Sequence, residues 1–221
     1  MKTIDPAKFS DKLLFWWKKN KRSFPWRDTT DPYKVLVSEV LLHRTKANQV
    51  VPVYKELVER FKTIKELSGS SLEEIVKINQ SNGLRWRSES LHRMAQEIVQ
   101  KYTGKIPSEK SELESLPGIS HYIASAVRCF AFGYPEVLLD TNTVRILGRV
   151  FGTKVVDSSR RSKLFSNLYS NIIDRNQPRE FNYAMIDLGA LVCTPRNPRH
   201  HHCPVNEMCE YAFSLNIRGR Q

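Results

Sequence analysis

The stretch YKVLVSEVLLHRTKANQVVPVYKELVERF (residues 33–61) repeats apolar residues at steps of three and four, and that period recurs along most of the chain. A period near 3.6 residues gathers side chains on one face of an α-helix, whereas a strand would alternate every second residue. Pro52 is expected to break this stretch into two helices, because proline has no amide hydrogen and its ring crowds the preceding turn. SLEEIVKIN and SESLHRMAQEIVQKY each open on a serine suited to cap a helix. HYIASAVRCFAFG, TNTVRILGRVFG, SRRSKLFSNLYSNII and REFNYAMIDLGALVC continue the pattern. Only EVLL (136–139) reads as extended, and one short segment makes no sheet. The expected fold class is all-α, with about ten short helices.

Charge narrows the partners. The 35 Lys and Arg residues exceed the 23 Asp and Glu residues, for a net charge of +12. A field of that sign attracts polyanions, nucleic acid first among them. No apolar run approaches the roughly 20 residues that span a bilayer, so no membrane partner is expected. The N-terminal stretch lacks the apolar core of a secretion signal; its Phe9, Leu13, Phe15, Trp16 and Trp17 suit an amphipathic helix packed on the protein. A cytoplasmic, nucleoid-associated protein of a prokaryote is the expectation.

In such a reducing compartment, clustered cysteines suggest metal rather than disulfides. CTPRNPRHHHCPVNEMC (193–209) holds three of the four cysteines around a run of three histidines. Cys129 stands apart in an apolar helix and reads as core.

A second motif is the hairpin ELESLPGISHYIASAV (112–127), in which Pro117 and Gly118 turn the chain between two helices. The unpaired amides that open the second helix suit a phosphate. Twenty-two residues beyond Gly118 comes LLDTNTVRILGRVFG, with Asp140 placed as a helix N-cap.

LPGISHYIASAV and LLDTNTVRILGRVFG together resemble the helix-hairpin-helix and catalytic aspartate of the endonuclease III/MutY superfamily of DNA glycosylases. FPWRDTTDPYKVLVSEVLLHRT (24–45) resembles the N-terminal signature of its MutY and mismatch-thymine-glycosylase branch. The resemblance runs from about Phe9 to Cys209. It implies a two-lobed fold: residues 30–135 as a six-helix bundle carrying the hairpin, and residues 1–29 with 136–221 as an N-terminal helix joined to a C-terminal cluster domain. Where the family hairpin usually has a second glycine, this chain has Ser120, whose hydroxyl can bond a neighbouring amide.

The resemblance also assigns roles. Breaking an N-glycosidic bond builds oxocarbenium-like charge on the sugar, which a carboxylate at Asp140 would stabilise. Asn142 occupies the place of a supporting asparagine. Glu39 matches the second acid, which protonates the leaving base or positions water and needs a pKa raised by burial. Tyr122 stands where bifunctional relatives have the lysine that forms a Schiff base, so strand cleavage is not expected; alternatively it is core on the hairpin's second helix. The nucleotide must leave the stack. His43 and Arg44, in place of the glutamines of MutY, are expected at the gap or at a solvated helix end. Arg85, Trp86 and Arg87 are expected to offer phosphate contacts and a stacking ring, with core as the other reading for Trp86. Pro117, Gly118 and Ser120 would hold a phosphate.

The family cluster motif is C-x6-C-x2-C-x5-C, and this chain matches it with Cys193, His200, Cys203 and Cys209. A [4Fe–4S] cluster with one histidine ligand is the first expectation. Zinc on a Cys3His set is the second, and no metal is the third; His201 or His202 could replace His200. The expected role is structural, fixing a loop whose Arg196 and Arg199 reach phosphates.

The sequence runs twelve residues beyond Cys209, so the further domain by which MutY reads 8-oxoguanine is not expected. The expected function is therefore a monofunctional, monomeric glycosylase that removes thymine or uracil opposite guanine in double-stranded DNA. Its abasic product would pass to an abasic-site endonuclease. An adenine glycosylase of MutY type and a non-catalytic DNA-binding module are the alternatives.

Overall fold

The computed structural model describes residues 4–80 and 85–218, with side chains as far as residue 215. Among the described residues there are twelve α-helices and no strand; the 136–139 segment is irregular coil. Contacts divide the chain into two compact units, residues 23–134 and residues 1–22 with 135–221.

The first unit contains α2 (Pro32–Leu42), α3 (Ala47–Arg60), α4 (Ile64–Gly69), α5 (Leu72–Ile78), α6 (Arg85–Tyr102), α7 (Lys110–Ser115) and α8 (His121–Phe132). Asp31 caps α2 through the amides of Tyr33 and Lys34, and Pro32 supplies the preset first turn. From Tyr33 to Leu41 almost every α2 residue is buried, so this helix is the unit's axis rather than a surface helix. It packs on α8, while α4 and α5 pack on α6.

The break between α2 and α3 falls at residues 43–46, not at Pro52. Arg44 takes a left-handed φ of 60°, which ends α2 on its own. Pro52 lies inside α3, near its start and on the exposed side. The carbonyl that proline cannot serve, that of Asn48, belongs to an exposed residue and so lies at the surface rather than in the core.

The second unit contains α1 (Pro6–Asn20), α9 (Thr141–Phe151), α10 (Lys163–Ile172), α11 (Pro178–Leu191) and α12 (Glu210–Arg218). Phe9, Leu13 and Leu14 bury one face of α1 among Val144, Leu147 and Phe181 and their neighbours. Phe15 points outward and is 64% exposed; Leu14 fills the core place expected for it. The fully buried Asp187 carboxylate of α11 accepts from Trp17 Nε1 (2.9 Å) and Arg22 Nε (2.6 Å), which fastens α1 and the chain after it. Cys129, in the other unit, is fully buried core.

Candidate active site and cluster loop

The hairpin is α7, a turn, and α8. Gly118 has φ +77°, and a Cβ there would lie 2.8 Å from Ser90 Cβ, so both backbone and space demand glycine. Ser120 is the N-cap of α8: its φ is −84°, and its Oγ accepts from the Ile123 amide at 3.3 Å. Serine thus serves in place of the second glycine without strain, because no left-handed angle is required at that position.

Tyr122, on the first turn of α8, is half-buried. Glu39 is 7% exposed because α2 is apolar nearly all round. Burial raises its pKa to about 7, against the opposing charge of Arg27. Arg27 is a residue the motif reading passed over. Its place in FPWR, twelve residues before Glu39, was in plain view, but only folding brings its charge to bear on that acid.

His43, Arg44 and Trp86 do come together. The His43 ring meets the Trp86 ring edge to face at 6.1 Å, and Trp86 is 40% exposed rather than core. Burial, then the charges of Arg44 and Arg87, lowers the His43 pKa, which favours the neutral ring. Arg87 departs from expectation: it is fully buried, not on a DNA face, and donates to the His43 carbonyl at 2.6 Å. Arg85 is exposed and pairs with Glu89 (3.3 Å) and Glu73 (3.5 Å), exchangeable surface contacts.

In the other unit, Asp140 caps α9. Its Oδ1 accepts from the amides of Asn142 (2.8 Å) and Thr143 (2.7 Å), and its Oδ2 accepts from Asn142 Nδ2 at 3.2 Å. Thr143 Oγ1 returns the bond by accepting from the Asp140 amide at 2.8 Å. The carboxylate is therefore fixed by three donors before any ligand arrives. Beyond it, Arg145 donates to Asn142 Oδ1 (2.8 Å), to the Gly189 carbonyl (2.9 Å) and to the Cys193 carbonyl (2.8 Å). A continuous line of bonds thus joins Asp140 to the first residue of the cysteine loop. Gly189 permits it: a Cβ there would fall 2.6 Å from Asn142 Cβ. Neither Arg145 nor Gly189 announces itself in sequence, because each acts through a neighbour.

Cys193, His200, Cys203 and Cys209 line one pocket, together with Arg149 and Tyr211. Arg149 donates to Cys193 Sγ (3.3 Å) and to the Thr194 carbonyl (2.7 Å), with its guanidinium 4.9 Å from the Tyr211 ring centre. Burial pushes the Cys203 thiol up to about 12, with the neighbouring thiols adding to it. Sulfurs so placed ionise only beside a strong positive charge, the condition an iron–sulfur group meets. His201 and His202 are exposed, whereas His200 faces the pocket. Among the described residues no three His, Cys, Asp or Glu side chains converge as a single-ion site. Arg196 and Arg199 are exposed on the same loop.

Residues 37–169 match the family described as HhH-GPD superfamily base excision DNA repair protein. Residues 193–209 match the iron-sulfur binding domain of endonuclease III. The thymine-DNA glycosylase of Aeropyrum pernix is 38% identical over 90% of this chain and 92% of its own length. The thymine/uracil-DNA glycosylase of Methanothermobacter thermautotrophicus is 32% identical over 92% of each chain. The adenine DNA glycosylase of Mus musculus is 32% identical, across 98% of this chain but 44% of that protein. A solved thermostable thymine-DNA glycosylase superposes with a TM-score of 0.88 at 31% identity, covering 95% of this chain and 97% of that one. The fold and these matches define a helix-hairpin-helix glycosylase. The chain belongs to the HhH-GPD superfamily of base excision DNA repair proteins and carries its iron–sulfur binding motif. No described helix is long and apolar enough to cross a membrane.

Proposed function

We propose that this protein is a monofunctional DNA glycosylase that hydrolyses the N-glycosidic bond of thymine or uracil opposite guanine. The observation that carries the catalytic reading is the carboxylate of Asp140, held by three donors at a helix N-terminus. As the C1′–N1 bond breaks, its electrons pass to the base, and the protonated Glu39 supplies the proton the base needs. Positive charge grows on the sugar, where the Asp140 carboxylate stabilises it. Water then adds to C1′ and loses a proton, leaving an abasic site in an intact strand. Tyr122 has no amine with which to form an imine, so the reaction stops there.

The pyrimidine target is supported by relatives named for thymine and uracil that match this chain along nine-tenths or more of both lengths. Physics adds a reason: a wobble pair costs less to open than a matched pair, so a G·T or G·U site is partly selected before the pocket is reached. Exposed Trp86 beside His43, and the hairpin amides after Gly118, are the DNA-facing groups of this reading, with Pro117 and Ser120 shaping the turn.

Cys193, Cys203 and Cys209 with His200 would hold a [4Fe–4S] cluster. The match of residues 193–209 to the iron-sulfur binding domain of endonuclease III supports this group over zinc. His200 Nδ1 faces the Pro198 carbonyl at 3.3 Å; a proton there leaves Nε2 for the metal. The cluster's part is to fix the loop bearing Arg196 and Arg199, not to react.

The test is single-turnover base release on duplexes bearing G·T, G·U, G·A and 8-oxoguanine·A, followed by alkali. Release is expected from the T and U strands, and D140N is expected to slow it by about 10²-fold or more with DNA binding retained. Release confined to the adenine strands would transfer the protein to the adenine-specific class. No release from any duplex would leave a DNA-binding module.

A further inference from the structure

Arg87 is a costly residue to bury. It is fully enclosed at the start of α6, where burial lowers its pKa, although a long cation is ordinarily kept at the surface. Its guanidinium is committed to a backbone atom of another helix: Nη2 donates to the carbonyl of His43 at 2.6 Å. That carbonyl sits at the C-terminus of α2, the end where helix carbonyls lack amide partners and carry partial negative charge. One residue on, Arg44 adopts φ 60°, a left-handed angle that a non-glycine residue takes only against a steric cost.

The start of α6 is itself anchored. Ser88, next to Arg87 and almost fully buried, accepts from Asn79 Nδ2 at 3.1 Å. Trp86, on the other side of Arg87, meets His43 edge to face and lies 5.5 Å from the Arg87 guanidinium. One buried cation thus fixes both halves of an exposed pair, the His43–Arg44 turn by hydrogen bond and Trp86 by chain connection and ring contact.

We propose that Arg87 is a positioning residue for nucleotide extrusion: by holding the His43 carbonyl it sets His43 and Trp86 as one rigid wedge against the base stack. The role rests on the glycosylase reading above. A wedge works only if it is rigid, because energy spent ordering it on the DNA is lost to opening the pair. Arg87 touches neither base nor sugar in this scheme. Its loss should matter where a stacked nucleotide must be displaced and should matter little where it is already unstacked.

The experiment compares two substrates on one preparation of each variant. One is a duplex with a single G·U pair; the other has the same G·U pair within a short unpaired bubble. R87M keeps bulk and removes the donor. Its single-turnover release from the duplex should fall about tenfold or more, the scale of a charge-assisted hydrogen bond, while release from the bubble changes less than about threefold. The ratio of the two rates is independent of how much of the preparation is folded, so a poorly folding variant still gives an answer. On a His43→Ala background, which lacks one of the wedge's two rings, R87M should lower the ratio less than it does in the otherwise wild-type protein. R87K, with one donor able to reach the carbonyl, should recover part of the duplex rate. A 2-aminopurine placed beside the target should brighten on binding wild type and stay dim with R87M. Equal losses on duplex and bubble, or full additivity with His43→Ala, would reduce Arg87 to a packing residue and overturn the proposal. Wild-type protein inactive on both substrates would instead remove the glycosylase reading.

Discussion

Arg145 donates to Asn142 Oδ1 at 2.8 Å, and the same asparagine donates to Asp140 at 3.2 Å. An amide has one acceptor and one donor end, and here each is spoken for, so the orientation of Asn142 is set by its two charged neighbours. Losing Asn142 removes a donor that prearranges the carboxylate. Asn142→Ala is expected to slow base release about 10-fold or more, with little change in DNA affinity measured by anisotropy. Equal weakening of affinity and release would mean that the residue shapes the DNA face instead.

Gly189 makes the same point from the opposite side. Ala at this place puts a Cβ 2.6 Å from Asn142 Cβ, below any tolerated contact, between two packed helices of one unit. Gly189→Ala should lower stability by about 1–3 kcal/mol through overpacking. It should also slow release, because the side chain displaced is the one whose Nδ2 steadies Asp140. A thermal melt and a single-turnover assay check the two effects separately, and an unchanged rate in folded protein would break the link.

Tyr122 bears on what the enzyme leaves behind. Products from wild type should be intact strands that break only after alkali, and borohydride should trap no enzyme–DNA adduct. A trapped adduct in wild type would require another amine near C1′ and would overturn the monofunctional assignment.

How much of this was legible in the sequence depends on whether a residue acts locally. Asp140 announces itself as a cap, and Ser120 as a hydroxyl for a neighbouring amide, because the groups they bond lie two or three residues away. Glu39, Asp140, Asn142 and the cysteine spacing sit inside recognisable motifs. Arg87 was misread because composition marks an arginine beside a tryptophan as surface, while its partner carbonyl lies 44 positions back in the chain. Arg145, Arg149 and Gly189 were missed for the same reason: their partners are supplied by packing between α9 and the α11–cysteine segment. Pro52 misled because a helix tolerates proline near its start, and the break is made by the left-handed Arg44 instead.

Glu39 ties activity to pH. Its folded-state pKa, about 7, lies above its ordinary 4.5, so the folded protein holds a proton that the unfolded chain releases first. Base release that uses this proton should decline as pH rises through about 7, and Glu39→Gln should abolish that limb while lowering the rate overall. Stability has the same sign: this group's contribution is complete below pH 4.5 and is lost as pH rises to about 7. Glu39→Gln should therefore be the more stable protein, relative to wild type, at pH 8 than at pH 5. Denaturant melts at the two pH values check this, and an equal difference at both would place the titrating acid elsewhere.

The cysteine loop gives the prediction with the widest consequences. Burial pushes the Cys203 and Cys209 thiols upward, so a metal that binds them must displace their protons. Protein purified without oxygen should be brown and should contain iron and sulfide rather than zinc. Cys203→Ser should lose the colour, and His200→Cys, which completes an all-thiolate set, should retain it. Arg149 tests the protein's side of the bargain: it donates to Cys193 Sγ and to two carbonyls of the loop, at Thr194 (2.7 Å) and Pro195 (3.0 Å). Arg149→Leu should keep the cluster on anaerobic purification but lose it several times faster in air, followed by the decay of visible absorbance. DNA affinity should fall with the colour, because Arg196 and Arg199 ride on the loop that the cluster orders. Colourless protein with one equivalent of zinc would replace the cluster by a single ion, and affinity that persists after the colour is gone would detach the loop from DNA binding.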